Sequence, residues 1–135
     1  MGDVMRSATV YVAPADLHLV VGPGLQLRLA DGQRIRGTLS SANPLFHSAS
    51  AALGAGLVAV VLTGAGFDGT DGVQSVKAAG GVVIAPHPET AEFPSMPSSA
   101  IKTGAVDLIV PLAEIAPALL RLVGRPPGTP PIAPA

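Results

Sequence analysis

The segment Val58-Ala59-Val60-Val61-Leu62-Thr63-Gly64-Ala65-Gly66-Phe67-Asp68-Gly69-Thr70-Asp71-Gly72 constrains the fold more than any other part of the chain. An unbroken run of β-branched and aliphatic residues lacks the alternation of a half-solvated strand. It suits a strand buried on both faces, as in a parallel sheet with helices above and below. Glycines enclosing two carboxylates follow at once, which puts Asp68 and Asp71 at the strand's carboxyl end. Ligands and catalytic groups gather at that end of open α/β sheets, because the loops there are free of packing duty while the sheet holds them in place.

The 135-residue chain is 48% hydrophobic, enough to fill one core of ordinary size. Only 3% of residues are aromatic and none is Trp, so packing rests on Val, Leu, Ile and Ala, which suits α/β layering better than a β-sandwich. Eight basic and nine acidic residues are scattered and give a net charge of -1, which leaves no basic stripe for a nucleic acid. Cysteine is absent, which excludes disulfides, thiolate metal sites and a cysteine nucleophile and fits a reducing compartment. Residues 1–14 hold no continuous apolar stretch, so no signal peptide is read there and a cytoplasmic location is expected. Residues 48–67 form twenty uncharged positions, long enough for a membrane span. Gly54-Ala55-Gly56 divides them into a helix-like half and a β-branched half, as at a helix-to-strand connection.

Short β-type runs at residues 9–13 (TVYVA), 17–21 (LHLVV) and 25–30 (LQLRLA) are separated by turn residues and predict a strand followed by an antiparallel hairpin. Residues 33–36 suggest a polar edge strand. Asn43 is expected to cap a helix with Pro44 at its first position, ending at Gly54. Strands are expected at 57–62, 82–85 and 106–110. Between them, Asp71 and Gln74 suggest a capping box for a helix over 72–79, closed by Gly80-Gly81, and a short helix is expected near 96–103. Pro111 opens a last helix whose apolar face is Leu112, Ile115, Ala116, Leu119, Leu120 and Val123. The domain therefore spans 1–123, and the Pro-rich tail 124–135 is expected to be disordered.

Asp68 is the candidate acid. A carboxylate in a loop after a parallel strand can orient a histidine that deprotonates a serine, although the same pattern also serves as a helix entry. Side-chain-free Gly64 and Gly66 would let backbone N–H groups near Ala65 approach a reacting carbonyl. No serine stands in a Gly-x-Ser-x-Gly elbow, and the three histidines, His18, His47 and His87, lack metal-ligand spacing, so no metal or other cofactor is implied. Residues 86–97 (PHPETAEFPSMP) carry four prolines in twelve positions, a rigidity that suits a groove wall or lid as well as a plain long loop. An anion-binding loop at 64–69 is a weaker alternative, because no Lys follows in P-loop spacing.

The motifs at 9–19 (TVYVAPADLHL), 45–49 (LFHSA), 62–72 (LTGAGFDGTDG), 77–85 (KAAGGVVIA) and 88–105 (PETAEFPSMPSSAIKTGA), taken in order, resemble the chemotaxis methylesterase CheB. The resemblance implies a doubly wound α/β fold with a mainly parallel sheet. It also implies hydrolysis of glutamate methyl esters, and deamidation of glutamines, on chemoreceptors through a Ser-His-Asp triad. On that basis Asp68 matches the triad aspartate, and Ala65 stands where the family has a methionine whose backbone helps to form the oxyanion hole. Phe93 and Met96 are the candidate substrate contacts, and Ser95 and Ser98 stand in place of a common glycine and arginine. The family's nucleophilic serine and triad histidine precede the region matching Thr9, and no counterpart of its receiver domain is read in this sequence. The resemblance therefore implies a partial catalytic domain, truncated at its N-terminus, of doubtful activity by itself. A non-catalytic receptor-binding or scaffold module is the alternative, and an exposed sheet edge implies self-association.

Overall fold

The computed structural model describes residues 3–30, 42–64 and 68–123. Among them the order is β1 (His18–Val21), β2 (Leu27–Ala30), α1 (Ala42–Leu53), β3 (Val58–Val60), α2 (Thr70–Ala78), β4 (Val82–Pro86), α3 (Ser95–Lys102), β5 (Leu108–Val110) and α4 (Ile115–Val123). The apolar run does form a strand, shorter than expected at Val58–Val60, with Ala59 buried and its two neighbours half-buried. β3, β4 and β5 make a parallel sheet in that order, with Val58 opposite Val82, Val60 opposite Ile84, and Ile84 opposite Leu108.

Alternation along these strands separates two cores. Ala59, Val61 and Val83 pack with Val73 and Val76 of α2 and Ala100 of α3. Val58, Val60, Val82 and Ile84 pack instead with Ile115 and Ala118 of α4. Helices therefore cover both faces, the doubly wound arrangement expected of a run without polar alternation. Val73, Val76, Val83 and Ile84 are all fully buried, and each such side chain stabilises the fold by about 1.5–3 kcal/mol.

The hairpin pairs β1 with β2 antiparallel, His18 opposite Ala30 and Val21 opposite Leu27. Its turn, Pro23–Leu25, places Gly24 at φ 69 and Leu25 at φ 60. Glycine enters that left-handed region freely, whereas Leu25 does so at a cost of about 1–2 kcal/mol. One side of α1 packs on the hairpin, with Ala49 against Leu19, Val21 and Leu27. Another side lies on α2 so closely that a Cβ at Gly72 would stand 2.7 Å from Phe46 Cβ. α1 thus joins the hairpin to the parallel layer.

Several sequence expectations change. Residues 9–13 form no strand, and Val10 and Val12 are exposed. The earlier residues take the position beside the hairpin: Val4 bridges Gln26, Met5 N–H donates to Leu25 O, and Leu27 N–H donates to Asp3 O. β propensity without a neighbouring strand does not make a strand. The last helix begins at Ile115, after a 3-10 turn at Leu112–Glu114, and buries Ile115 and Ala118 while Leu112 and Leu120 are exposed. The tighter winding of that turn takes Leu112 out of the helical stripe. Finally, α1 starts at Ala42, so Asn43 lies inside its first turn instead of at its cap position. The expected edge strand at 33–36 and the tail at 124–135 lie outside the described residues.

Candidate active site

Thr63 and Gly64 leave β3 at its carboxyl end and run directly into contact with the Pro-rich segment that follows β4. Gly64 N–H donates to Phe93 O at 3.0 Å, and Gly64 O accepts from Met96 N–H at 3.0 Å and from Ser95 Oγ at 3.3 Å. A side chain at Gly64 would put its Cβ 2.9 Å from Met96 Sδ, so close approach demands glycine here. Thr63 Oγ1 accepts from Phe93 N–H at 2.8 Å and donates to Phe93 O at 3.3 Å. Three of the expected site residues, Gly64, Phe93 and Met96, are thus brought together. Phe93 stays 55% exposed although its backbone is pinned.

Asp68 is half-buried, and both of its carboxylate oxygens accept from Ala42 N–H, at 3.0 and 3.1 Å. Ala42 opens α1, so the acid lies against the positive end of that helix dipole. In the reverse direction, buried Asn43 accepts the Gly72 N–H on its Oδ1 at 2.8 Å. Gly69, at the cap position of α2 with φ 84, has no side chain to offer, and the neighbouring helix supplies the acceptor in its place. Asp71 therefore stands in the first turn of α2, where an acid complements the dipole, and not at the cap that the sequence suggests. Ala65 and Gly66 lie outside the described residues.

Of the histidines, His18 is buried in β1, His87 is exposed, and His47 Nδ1 lies 2.5 Å from Ser75 Oγ across α1 and α2. Among the described residues no group of three or more His, Cys, Asp or Glu is placed to hold a metal, and no helix is long and apolar enough to cross a membrane. Two contributors were not foreseen from sequence. Thr63 lies in the 62–72 motif, but nothing in that pattern marks its hydroxyl. Asp107 joins three elements, with Oδ1 paired to Lys77 of α2 and Oδ2 accepting Val83 N–H of β4 at 2.8 Å just before β5 begins. The hydrogen bond from Lys77, with the one from Val83, holds the Asp107 carboxyl below its ordinary pKa.

An acid-bearing loop leaving the carboxyl end of a parallel strand, with helices on both faces of the sheet and a proline-rich wall beside it, defines an open α/β domain of the kind that works at its strand ends. The chain belongs to the CheB methylesterase family, whose model matches residues 1–119. It is 40% identical over 127 residues to a protein-glutamate methylesterase/protein-glutamine glutaminase of Myxococcus xanthus, and 39% identical over 128 residues to one of Geobacillus kaustophilus. Each alignment covers 92% of this chain and 37% of the relative. The CheB methylesterase catalytic domain of Thermotoga maritima superposes with a TM-score of 0.86 at 34% identity, covering 90% of this chain and 66% of that structure. The chain thus spans little more than a third of the length of these two relatives.

Proposed function

We propose that this chain supplies the aspartate-bearing part of a cytoplasmic protein-glutamate methylesterase and glutaminase acting on chemoreceptors. The observation that carries this reading is the Asp68 carboxylate, held at the carboxyl side of β3 in a chain that follows the family along 119 residues. In the reaction, a serine Oγ adds to the glutamyl carbonyl as a histidine takes its proton, and methanol or ammonia leaves on receiving that proton. Water then adds to the acyl-enzyme by the same route and frees the serine. Asp68 orients the imidazole and stabilises its cationic form, while Ala42 N–H keeps the carboxylate in place. The Gly64 N–H is given to Phe93, so the oxyanion donors are assigned to the backbone at Ala65 and Gly66, with Gly64 serving by its lack of a side chain. The serine and histidine are assigned to the part of the family's catalytic domain that comes before the motif matching Thr9.

The test is methanol release from a methyl-esterified chemoreceptor cytoplasmic fragment, by the chain alone and mixed with a polypeptide carrying the family's serine and histidine. Turnover is expected in the mixture only, and Asp68→Asn is expected to lower it by a factor on the order of 10⁴. An unaffected rate would remove Asp68 from the triad, and family-like turnover by the chain alone would overturn the assignment of the missing groups. The exposed Phe93 on a pinned loop favours a second reading, a non-catalytic receptor-binding module, with Phe93 and Met96 as contacts. Failure of a folded chain to retain the receptor fragment in a pull-down counts against it.

A further inference from the structure

We infer that Thr63 is a specificity-determining positioning residue, whose hydroxyl sets how Phe93 presents its ring to a bound receptor segment. The inference rests on the reading of Phe93 as a substrate contact. A threonine hydroxyl has one hydrogen to donate and two lone pairs to accept with. Here it takes the Phe93 N–H at 2.8 Å and gives its own hydrogen to the Phe93 carbonyl at 3.3 Å, so one side chain holds both polar backbone groups of a single residue thirty positions away. Pro94 follows directly and restricts Phe93 to extended backbone. With φ and ψ held from both sides, the ring keeps only its two side-chain torsions.

Thr63 is itself exposed, so these bonds are not the by-product of a buried polar group seeking partners. Nor are they needed to attach the loop, because the Gly64 N–H bond to Phe93 O and the Met96 N–H bond to Gly64 O already do that through main chain alone. What Thr63 adds is a hold on the Phe93 N–H, which fixes the direction of the Cα–Cβ bond. A large apolar side chain, 55% exposed on backbone ordered in advance, loses little entropy on contact with a partner. That is the character of an anchor residue at a recognition surface.

Thr63→Val keeps the shape and deletes the hydroxyl, whereas Thr63→Ser keeps the hydroxyl. Hydrogen exchange on the free chain should show the Phe93 amide exchanging roughly five- to tenfold faster in Thr63→Val and restored in Thr63→Ser. The thermal midpoints of all three proteins should coincide. Affinity for the methyl-esterified chemoreceptor fragment should fall roughly three- to tenfold in Thr63→Val, recover in Thr63→Ser, and fall further in Phe93→Ala. Phe93→Ala binding like the unaltered chain, or no binding by the unaltered chain, removes the substrate reading and this inference with it. Weaker binding by Phe93→Ala beside unchanged Thr63→Val leaves the contact and overturns the positioning role alone. Unchanged Phe93 exchange in Thr63→Val, or a Thr63→Ser that fails to recover, overturns that role as well.

Discussion

At the scale of single residues, acids with similar surroundings in the sequence do different work. Asp68 and Asp71 flank the same glycine-rich turn, yet the first accepts from the start of α1 and the second stands in the first turn of α2. Asp68 was legible as the site candidate because glycines and a preceding apolar run announce a strand-end loop. Its partner Ala42 was not, because twenty-six positions separate them and nothing in an alanine advertises its N–H. Asp107 carries no motif and became visible only through Lys77 and Val83. Both donors favour the charged carboxylate, so its pKa is lower folded than unfolded. Such a group contributes stability above its unfolded value, about pH 4, and the contribution is lost as pH falls through the lower folded value. Lys77 is half exposed and its charge is screened, so Asp107→Asn should cost about 1 kcal/mol or less at neutral pH. In urea titrations the difference from the unaltered chain should shrink below about pH 4, and a difference that stays constant down to about pH 2 contradicts the assignment.

Among the elements, α1 and α2 complete one another. α2 begins at a glycine that cannot cap it, Asn43 lends the acceptor from α1, and Gly72 lets Phe46 approach closely enough for that bond to form. The sequence announced both helices through turn residues and three-to-four apolar spacing. It misassigned their caps, because Asn43 and Asp71 are each the second residue of a helix, just inside its start, and local pattern cannot tell a residue's own helix from its neighbour's. Asn43→Ala should leave the buried Gly72 N–H without its acceptor and cost about 1–3 kcal/mol. Asn43→Asp keeps an oxygen there and should cost less. Equal urea midpoints for Asn43→Ala and the unaltered chain would sink the crossed-cap account. The last helix makes the same point about faces. Its existence followed from spacing, but the 3-10 turn before Ile115 took Leu112 out of the stripe, and the helix that buries Ile115 and Ala118 leaves Leu120 facing solvent.

At the scale of the whole molecule, β3 and β5 flank β4, and among the described residues β3 pairs on one side only. Leu108, Ile109, Leu120 and Leu122 are exposed. An open edge with apolar surface around it favours association, so sedimentation velocity should show species growing with concentration, and a single monomer throughout would argue against it. The order of strands and helices, the α/β class and the acid-bearing loop were determined by the chain's own pattern, because hydrophobic periodicity and turn chemistry act over a few residues. Tertiary structure alone decided which helix Asp68 and Asn43 serve, that Thr63 grips Phe93, and that residues 9–13 stay out of the sheets. Each of these joins groups far apart in sequence or needs a neighbour in space, and short-range spacing carries no record of either.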